Sequence, residues 1–405
     1  MKILQITHLV SYPPHDGPSL RNFNLMRECS SDNEIHLLTF FRKAHGHRKD
    51  NLENNIRELK KYCRDVEVFE IPSDGKKIKW LSLLFFNLFS SVPYSVWLYN
   101  SKEMISAVKR QLANNKFDIV EIGEIGLFEY SRLCPGIPKV LIHHNVESQL
   151  LERRSKFLNN WLARIYMKIQ ARKLKKLEAQ ACRLIEYHTT VSEGDRETLK
   201  KIGGSNNIQV VPNGVDIDYF RPTGEAIIPN SLVFAGTMSW FPNLDAMQYL
   251  MNEIWTELKQ KVPNVSISIM GKYPPKELVE LNLKDSSFKV LGFVEDVRPV
   301  ISRAAAYIVP LRVGGGSRLK IMDALAMGKA IISTPIGAEG TDVVHGENII
   351  LAETAKDLIE ATIKVFNDIN LRKKLEINAR KLAEEKYSWK SIAPKLNEVY
   401  NILKK

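Results

Sequence analysis

Only four cysteines occur in 405 residues, Cys29, Cys63, Cys134 and Cys182, and none stands in a CxxC pair or has a histidine at metal-ligand spacing. A disulfide scaffold and a zinc finger are thereby excluded, and four buried or half-buried free thiols in a reducing compartment are expected. Long apolar runs are also missing. The longest, Trp80 to Val92, is too short to cross a bilayer. The opening MKILQITHLV carries one lysine and a short apolar run that reads as a first strand, with no h-region and cleavage site behind it. The expectation is a protein made and kept in the cytosol. Internal repeats and low-complexity tracts are absent, which sets aside repeat arrays and biased tails. Paired carboxylates are scarce. Asp16, Asp65 and Asp74 are isolated, and Asp216 and Asp218 sit two apart in a turn-rich stretch that reads as a solvated loop. No metal site is expected.

What remains is a soluble globular chain, 44% hydrophobic and 26% charged, long enough for two domains. The net charge of +12 is lopsided. Residues 1–215 carry 33 Lys+Arg against 23 Asp+Glu, a difference of +10, which leaves 25 against 23, or +2, for residues 216–405. The excess is concentrated between Leu151 and Arg183, with ten basic and two acidic residues. Such a face can serve nucleic acid, anionic lipid or phosphorylated substrates.

Apolar strand-like runs alternate with helical periodicity throughout, the pattern of parallel α/β units. Strands are expected at residues 3–7, 35–40, 66–71, 119–122, 140–143 and 187–191 in the first half. In the second they are expected at 208–211, 232–236, 265–270, 289–291, 307–309 and 330–333. Pro212-Asn213-Gly214 is a turn-forming cluster between two strand patterns and marks the domain boundary. Open α/β sheets bind ligands at their strand carboxyl ends, so a site between the two domains is expected.

The densest signal is YIVPLRVGGGSRLKIMDALAMG, residues 307–328. A strand runs into three glycines, then Ser317, then a helix carrying Arg318, Lys320 and Asp323. Glycines allow close backbone approach, and a helix start offers unpaired N–H groups with a partial positive charge. Two cations there suit an anion such as a phosphate, and a carboxylate one turn on can accept from ribose hydroxyls. The bland reading is an ordinary Gly-rich loop followed by an exposed Lys320–Asp323 pair.

Around this stretch stand VVPNGVDIDYF, LVFAGTMSWFPNLDAMQYL, ISIMGK, VLGFVEDVRPVISRAAAYIVPL, GKAIISTPIGAEG and KYSWKSIAPKLNEVY, in that order apart from the overlap at 307–311. The series resembles the nucleotide-sugar-binding half of retaining glycosyltransferases of the GT-B fold, family 4. The nearest look-alikes are bacterial sugar transferases of exopolysaccharide pathways. The resemblance covers nearly the whole chain, more tightly after about residue 205. It implies two Rossmann-like parallel-sheet domains facing a central cleft. Residues 1–212, with a terminal helix 388–405 crossing back, would bind acceptor, and 213–387 would bind the donor, a nucleotide diphosphate-sugar. It implies transfer with retention to a glycan or polyprenyl-diphosphate-linked acceptor in cell-surface polysaccharide biosynthesis, without cofactor or metal.

Carried over residue by residue, the resemblance puts the donor diphosphate on Arg318 and Lys320 and the ribose on Asp323. Relatives commonly hold two Glu eight positions apart; here the second is Asp323 and the first falls on Gly315. Backbone amides of Gly314, Gly315, Gly316 and Ser317 would then serve the donor sugar. Many relatives place Arg and Lys after the glycine matching Gly236, where this chain has Thr237-Met238-Ser239-Trp240-Phe241. That shifts the diphosphate onto Arg318 and Lys320. In the first half YPPHDGPS (12–19) resembles the loop after the first strand that faces phosphate and acceptor, with Gly17 permitting close approach. His144, in VLIHHNVES, aligns with a residue beside the reacting sugar carbon. No dedicated base is required, since the leaving phosphate can take the acceptor's proton. The flanking carboxylate pair of glycosidases is not found.

Trp80–Trp97, with Lys76, Lys77 and Lys79 upstream, and the basic Leu151–Arg183 segment could together lie on an anionic inner leaflet. They could equally be a core helix followed by a solvated basic helix. A nucleic-acid partner is not expected: Phe157, Trp161 and Tyr166 fall on helical spacing and read as a packing face. Two rivals stand beside the transferase: a GT-B-fold sugar-nucleotide epimerase or hydrolase, and a non-catalytic basic binding protein.

Overall fold

The computed structural model describes residues 1–404 except 15–16, 43–48, 75–76, 157, 159 and 315–318. These residues fall into two compact units, Met1–Pro212 with Ile392–Lys405, and Asn213–Ser391. Each is built on one parallel sheet.

In the first unit the strands are β1 (Lys2–Thr7), β2 (Glu34–Phe41), β3 (Asp65–Glu70), β4 (Ile119–Ile122), β5 (Lys139–Ile142), β6 (Tyr187–Thr190) and β7 (Ile208–Val210). They lie in the order β3-β2-β1-β4-β5-β6-β7. β1 is central, paired with β2 from Lys2↔Glu34 to Thr7↔Thr39 and with β4 from Ile3↔Ile119 to Ile6↔Ile122. The near-continuous apolar runs ILQI, IHLL and IVEI are the composition that a doubly covered parallel sheet requires. One core packs Leu4, Ile6, Leu38, Val120, Ile122 and Leu141 against helices. Another packs Ile35, Leu37 and Val66 against Phe23 and Met26 of the helix Gly17–Cys29.

In the second unit they are β8 (Ile228–Ala235), β9 (Ser266–Met270), β10 (Phe288–Gly292), β11 (Ala304–Val309), β12 (Ile331–Ser333) and β13 (Ile350–Leu351). The order is β10-β9-β8-β11-β12-β13. β11 is buried at every residue, as its sequence AAAYIV demands between two helical layers. Both sheets are thus Rossmann-like. In each, strand order reverses beside the first strand, between β1 and β4 and between β8 and β11, and ligands bind at such points.

The last helix, Trp389–Lys404, returns to the first unit at Ile392. Asn33 donates to Asn397 Oδ1 at 2.9 Å, and Tyr400 donates its hydroxyl to Glu121 Oε2. Glu121 also accepts from Gln5 Nε2 at 2.5 Å, and the fully buried Arg21 adds its charge to both Glu121 and Tyr400. Arg21 Nη1 donates to Pro212 O at 2.7 Å. Gln5, Arg21, Glu121, Pro212 and Tyr400, from five distant segments, therefore share one buried polar network. Burial raises the carboxyl pKa of Glu121, and these partners work against that.

All four thiols are buried and free. Asp216 folds into a loop cap, its Oδ1 accepting from the amides of Asp218 and Tyr219 at 3.1 and 2.9 Å. Gly17 is the first residue of a helix and not part of the preceding loop, a correction to the sequence reading. Trp161 corrects it again: it is 66% exposed, so no packing face includes it. Phe157 lies outside the described residues.

Candidate active site

The two strand-order reversals each gather a set of polar side chains. In the second unit β8 ends at Ala235, and Gly236 follows at the switch. Lys320, half-buried in the helix Leu319–Ala326, brings its ammonium to this point and donates to Asn243 Oδ1 at 2.6 Å. Asn243 is fixed in turn by its Nδ2, which donates to Thr237 O at 2.8 Å. The glycine is what admits the ammonium. A Cβ at position 236 would meet Lys320 Nζ at 2.8 Å and Asn243 Nδ2 at 2.7 Å. Lys320 also lies over the Phe234 ring, 4.1 Å from its centroid.

Asp323 sits one turn further along the same helix, half-buried. Burial pushes its carboxyl up to about 7, and the Lys320 charge partly opposes that. Its charge in turn helps push the buried Tyr307 phenol upward. A cation and a carboxyl whose charge is easily changed thus share the end of β8 and β11. Gly314, buried, ends the described part of the preceding loop. Gly315, Gly316, Ser317 and Arg318, all singled out from the sequence, lie outside the described residues.

In the first unit the strand ends of β1, β4 and β5 bring together His8, Glu124 and His144. His8 Nδ1 is 3.4 Å from Glu124 Oε2, and the His8 and His144 rings are 5.6 Å apart, edge to face. The two adjacent histidines after β5 part ways. His143 turns into the core, its Nε2 3.2 Å from His188 Nδ1, whereas His144 faces His8. His144 hydrogen-bonds the Gly123 backbone, and its buried Nε2 has no partner among the described residues. Burial, with His8, Arg21 and His143 as neighbours, lowers its pKa well below the ordinary histidine value. It is therefore neutral at pH 7, and a ring protonated on Nδ1 leaves Nε2 a bare acceptor.

Glu124 is pushed up to about 8, first by burial and then by the Glu147 charge, against Arg42 and a Tyr99 hydrogen bond. Glu147 is raised to about 6 by burial, opposed by Asn145 and helped by Asp195. Gly126 leaves room for Glu124, since a Cβ there would meet Glu124 Oε1 at 2.8 Å. The structure thus joins Gly236, Lys320 and Asp323 in one place, and places His144 in the other unit's set. His8, Glu124 and Asn243 escaped the sequence reading. The one available signal was that His8 and Glu124 each fall within two residues of a predicted strand's carboxyl end. Among the described residues no cluster of three or more His, Cys, Asp or Glu could hold a metal.

Comparison with known proteins gives this geometry its class. Residues 229–368 match the family described as Glycosyl transferases group 1, and residues 65–219 match Glycosyltransferase Family 4. With two Rossmann-like sheets and these matches on both halves, the chain is a glycosyltransferase of the GT-B fold.

Its relatives are distant. A glycosyltransferase of Methanocaldococcus jannaschii is 22% identical over 408 aligned positions, covering 100% of this chain and 99% of the relative. A 44.6 kDa protein from the cps region of Klebsiella pneumoniae is 23% identical over 169 residues. That alignment spans 40% of this chain and 44% of the relative. HepE of Anabaena, solved with UDP, superposes with a TM-score of 0.69 at 15% identity, over 99% of this chain and 100% of that one. Sucrose-phosphate synthase from Thermosynechococcus elongatus gives 0.72 at 12% identity, over 100% and 99%. HepE has also been solved with UDP-glucose.

Proposed function

We propose that the chain transfers a hexose from a UDP-sugar, with retention, to a glycan or lipid-linked acceptor in cell-surface polysaccharide assembly. The carrying observation is the Lys320 ammonium admitted beside Gly236 at the β8–β11 switch, one turn from Asp323. HepE and its UDP complexes support uracil as the base. Lys320 and Arg318 bind the diphosphate. Their charges meet the negative charge that grows on the leaving phosphate, where one lost donor costs about 2.7–4 kcal/mol in oxyanion-type sites. These two cations do this work without a metal ion. Asp323 accepts from the ribose hydroxyls, and the amides of Gly314–Ser317 serve the sugar.

His144 acts on the reacting sugar. As a neutral ring whose Nε2 lacks a partner among the described residues, it accepts from a sugar hydroxyl without placing a full positive charge beside an oxocarbenium-like centre. The leaving phosphate takes the acceptor's proton, so no separate base is assigned. Gly17, the first residue of the helix Gly17–Cys29, is assigned to close backbone approach to the donor.

The test is UDP release from UDP-sugars in the presence of candidate acceptors, with the product's anomeric configuration read by NMR. An α-linked product from an α-donor supports the proposal; an inverted product overturns retention. One observation favours a second reading. His8 and Glu124 form an adjacent acid–base pair of the kind an epimerase or hydrolase needs. Free sugar or an epimerised nucleotide sugar as the main product, with acceptor present, would select that reading.

A further inference from the structure

We propose that the first unit docks on an anionic bilayer surface through the helix Lys77–Asn87 and the first half of the helix Trp161–Leu184. The inference is independent of the donor-site reading. The Lys77–Asn87 helix presents most of its apolar side chains to solvent. Ile78 is 85% exposed, Phe86 60% and Phe89, just beyond the helix, 80%, and Trp80, Leu81, Phe85 and Leu88 are exposed with them. Phe85 packs edge-on to Phe86 and Phe89 at 5.5 and 5.7 Å, so the three rings form one exposed cluster. Isolated exposed apolar residues are ordinary, but a run of this density marks an interaction surface.

The helix is anchored at both ends. Trp80 is hydrogen-bonded to the Tyr94 hydroxyl. At the other end the buried Asn87 accepts from Gln170 Nε2 at 2.8 Å and, through its carbonyl, from Lys173 Nζ at 2.5 Å. Tyr94 N donates to Gln170 Oε1 at 2.9 Å. The apolar helix is therefore held to the helix Trp161–Leu184 by polar contacts that leave its rings outward.

That second helix is amphipathic in the interfacial manner. Its buried face holds Gln170, Leu174, Leu177 and Ala181. On the opposite side Trp161, Ile165, Lys168 and Arg172 follow at helical spacing, all exposed, with Arg164, Lys175 and Lys176 exposed nearby. Its single carboxylate, Glu178, is buried against Ser148. Aromatic and aliphatic residues beside exposed cations fit a lipid surface bearing negative headgroups, and the cytoplasmic leaflet is the one that carries them. The same charge argues against a second copy, because a symmetric pairing would bring like-charged faces together. No helix among the described residues is long and apolar enough to cross a membrane.

Flotation of the full chain with vesicles tests this. Binding is expected to phosphatidylcholine vesicles containing phosphatidylglycerol, and little to phosphatidylcholine alone. Each cation near such a surface contributes about fivefold in partitioning, so R164Q/K168Q/R172Q is expected to lose on the order of a hundredfold. F85S/F89S is expected to abolish flotation. Both variants alter exposed side chains, so each is expected to match wild type in cooperative melting and in UDP affinity, which separates this test from that of the donor site. Equal binding to neutral vesicles, or no loss in either variant, overturns the proposal. So does a solution dimer that F85S/F89S dissolves, which would make the patch a protein interface.

Discussion

Replacing Gly236 by alanine separates the site's chemistry from its fold. The new Cβ would lie 2.8 Å from Lys320 Nζ and 2.7 Å from Asn243 Nδ2, both ends of side chains that can swing away. Overpacking of this kind costs about 1–3 kcal/mol of stability. The displaced ammonium forfeits its 2.6 Å bond to Asn243 and its aim at the strand end. A charge-assisted hydrogen bond is worth about 1.5–3 kcal/mol, so UDP affinity is expected to fall roughly 10- to 150-fold. Gly271 is the control. A Cβ there would sit 1.9 Å from Gly236 O, a backbone atom with nowhere to go. Gly271→Ala is expected to cost about 3–5 kcal/mol and to unfold the second unit at moderate denaturant. Calorimetric titration with UDP and urea melts on both variants provide the readout. Unchanged UDP affinity in well-folded Gly236→Ala would refute the placement of Lys320 in the donor site.

Further outcomes follow from buried charge. Asp323 has its pKa raised to about 7, so the folded state holds a proton that the unfolded chain releases near pH 4. Its contribution to stability is thus present below that value and is lost as pH rises to about 7. Asp323→Asn should melt higher relative to wild type at pH 8 than at pH 5; a constant difference would contradict this. Tyr400→Phe removes a hydroxyl bonded to the buried Glu121 and should destabilise by about 1–3 kcal/mol in chemical denaturation. His144→Ala should abolish sugar transfer while leaving UDP affinity within about twofold, measured by product formation beside calorimetry.

The sheets were largely legible in the sequence. All twelve expected strands occur, mostly within a residue or two, because each is an apolar run too short for a helix. β8 starts four residues early, at Ile228, and β13 escaped notice as a two-residue strand. The approach of Lys320 to Gly236 was not legible, since 84 positions separate them and strand order decides that they meet. His8 and Glu124 were missed for the same reason. The switch beside β1 is a property of topology, not of any local pattern. Nothing in the sequence singles out Arg21, yet only 1% of it is exposed, because the partners that permit its burial come from distant segments. Trp161 shows the limit of periodicity. Spacing tells which side chains share a helix face, but not which face the fold covers.

The most direct measurement of the central claim is a thermal-shift panel with UDP, GDP, ADP and CMP on wild type, Lys320→Ala and Arg318→Ala. At one hundred times its dissociation constant a bound nucleotide stabilises by about 2.7 kcal/mol, which such a panel resolves. A shift with UDP that both variants lose is the predicted result. No shift with any nucleotide, from wild-type protein that melts cooperatively, would contradict the donor site in the second unit.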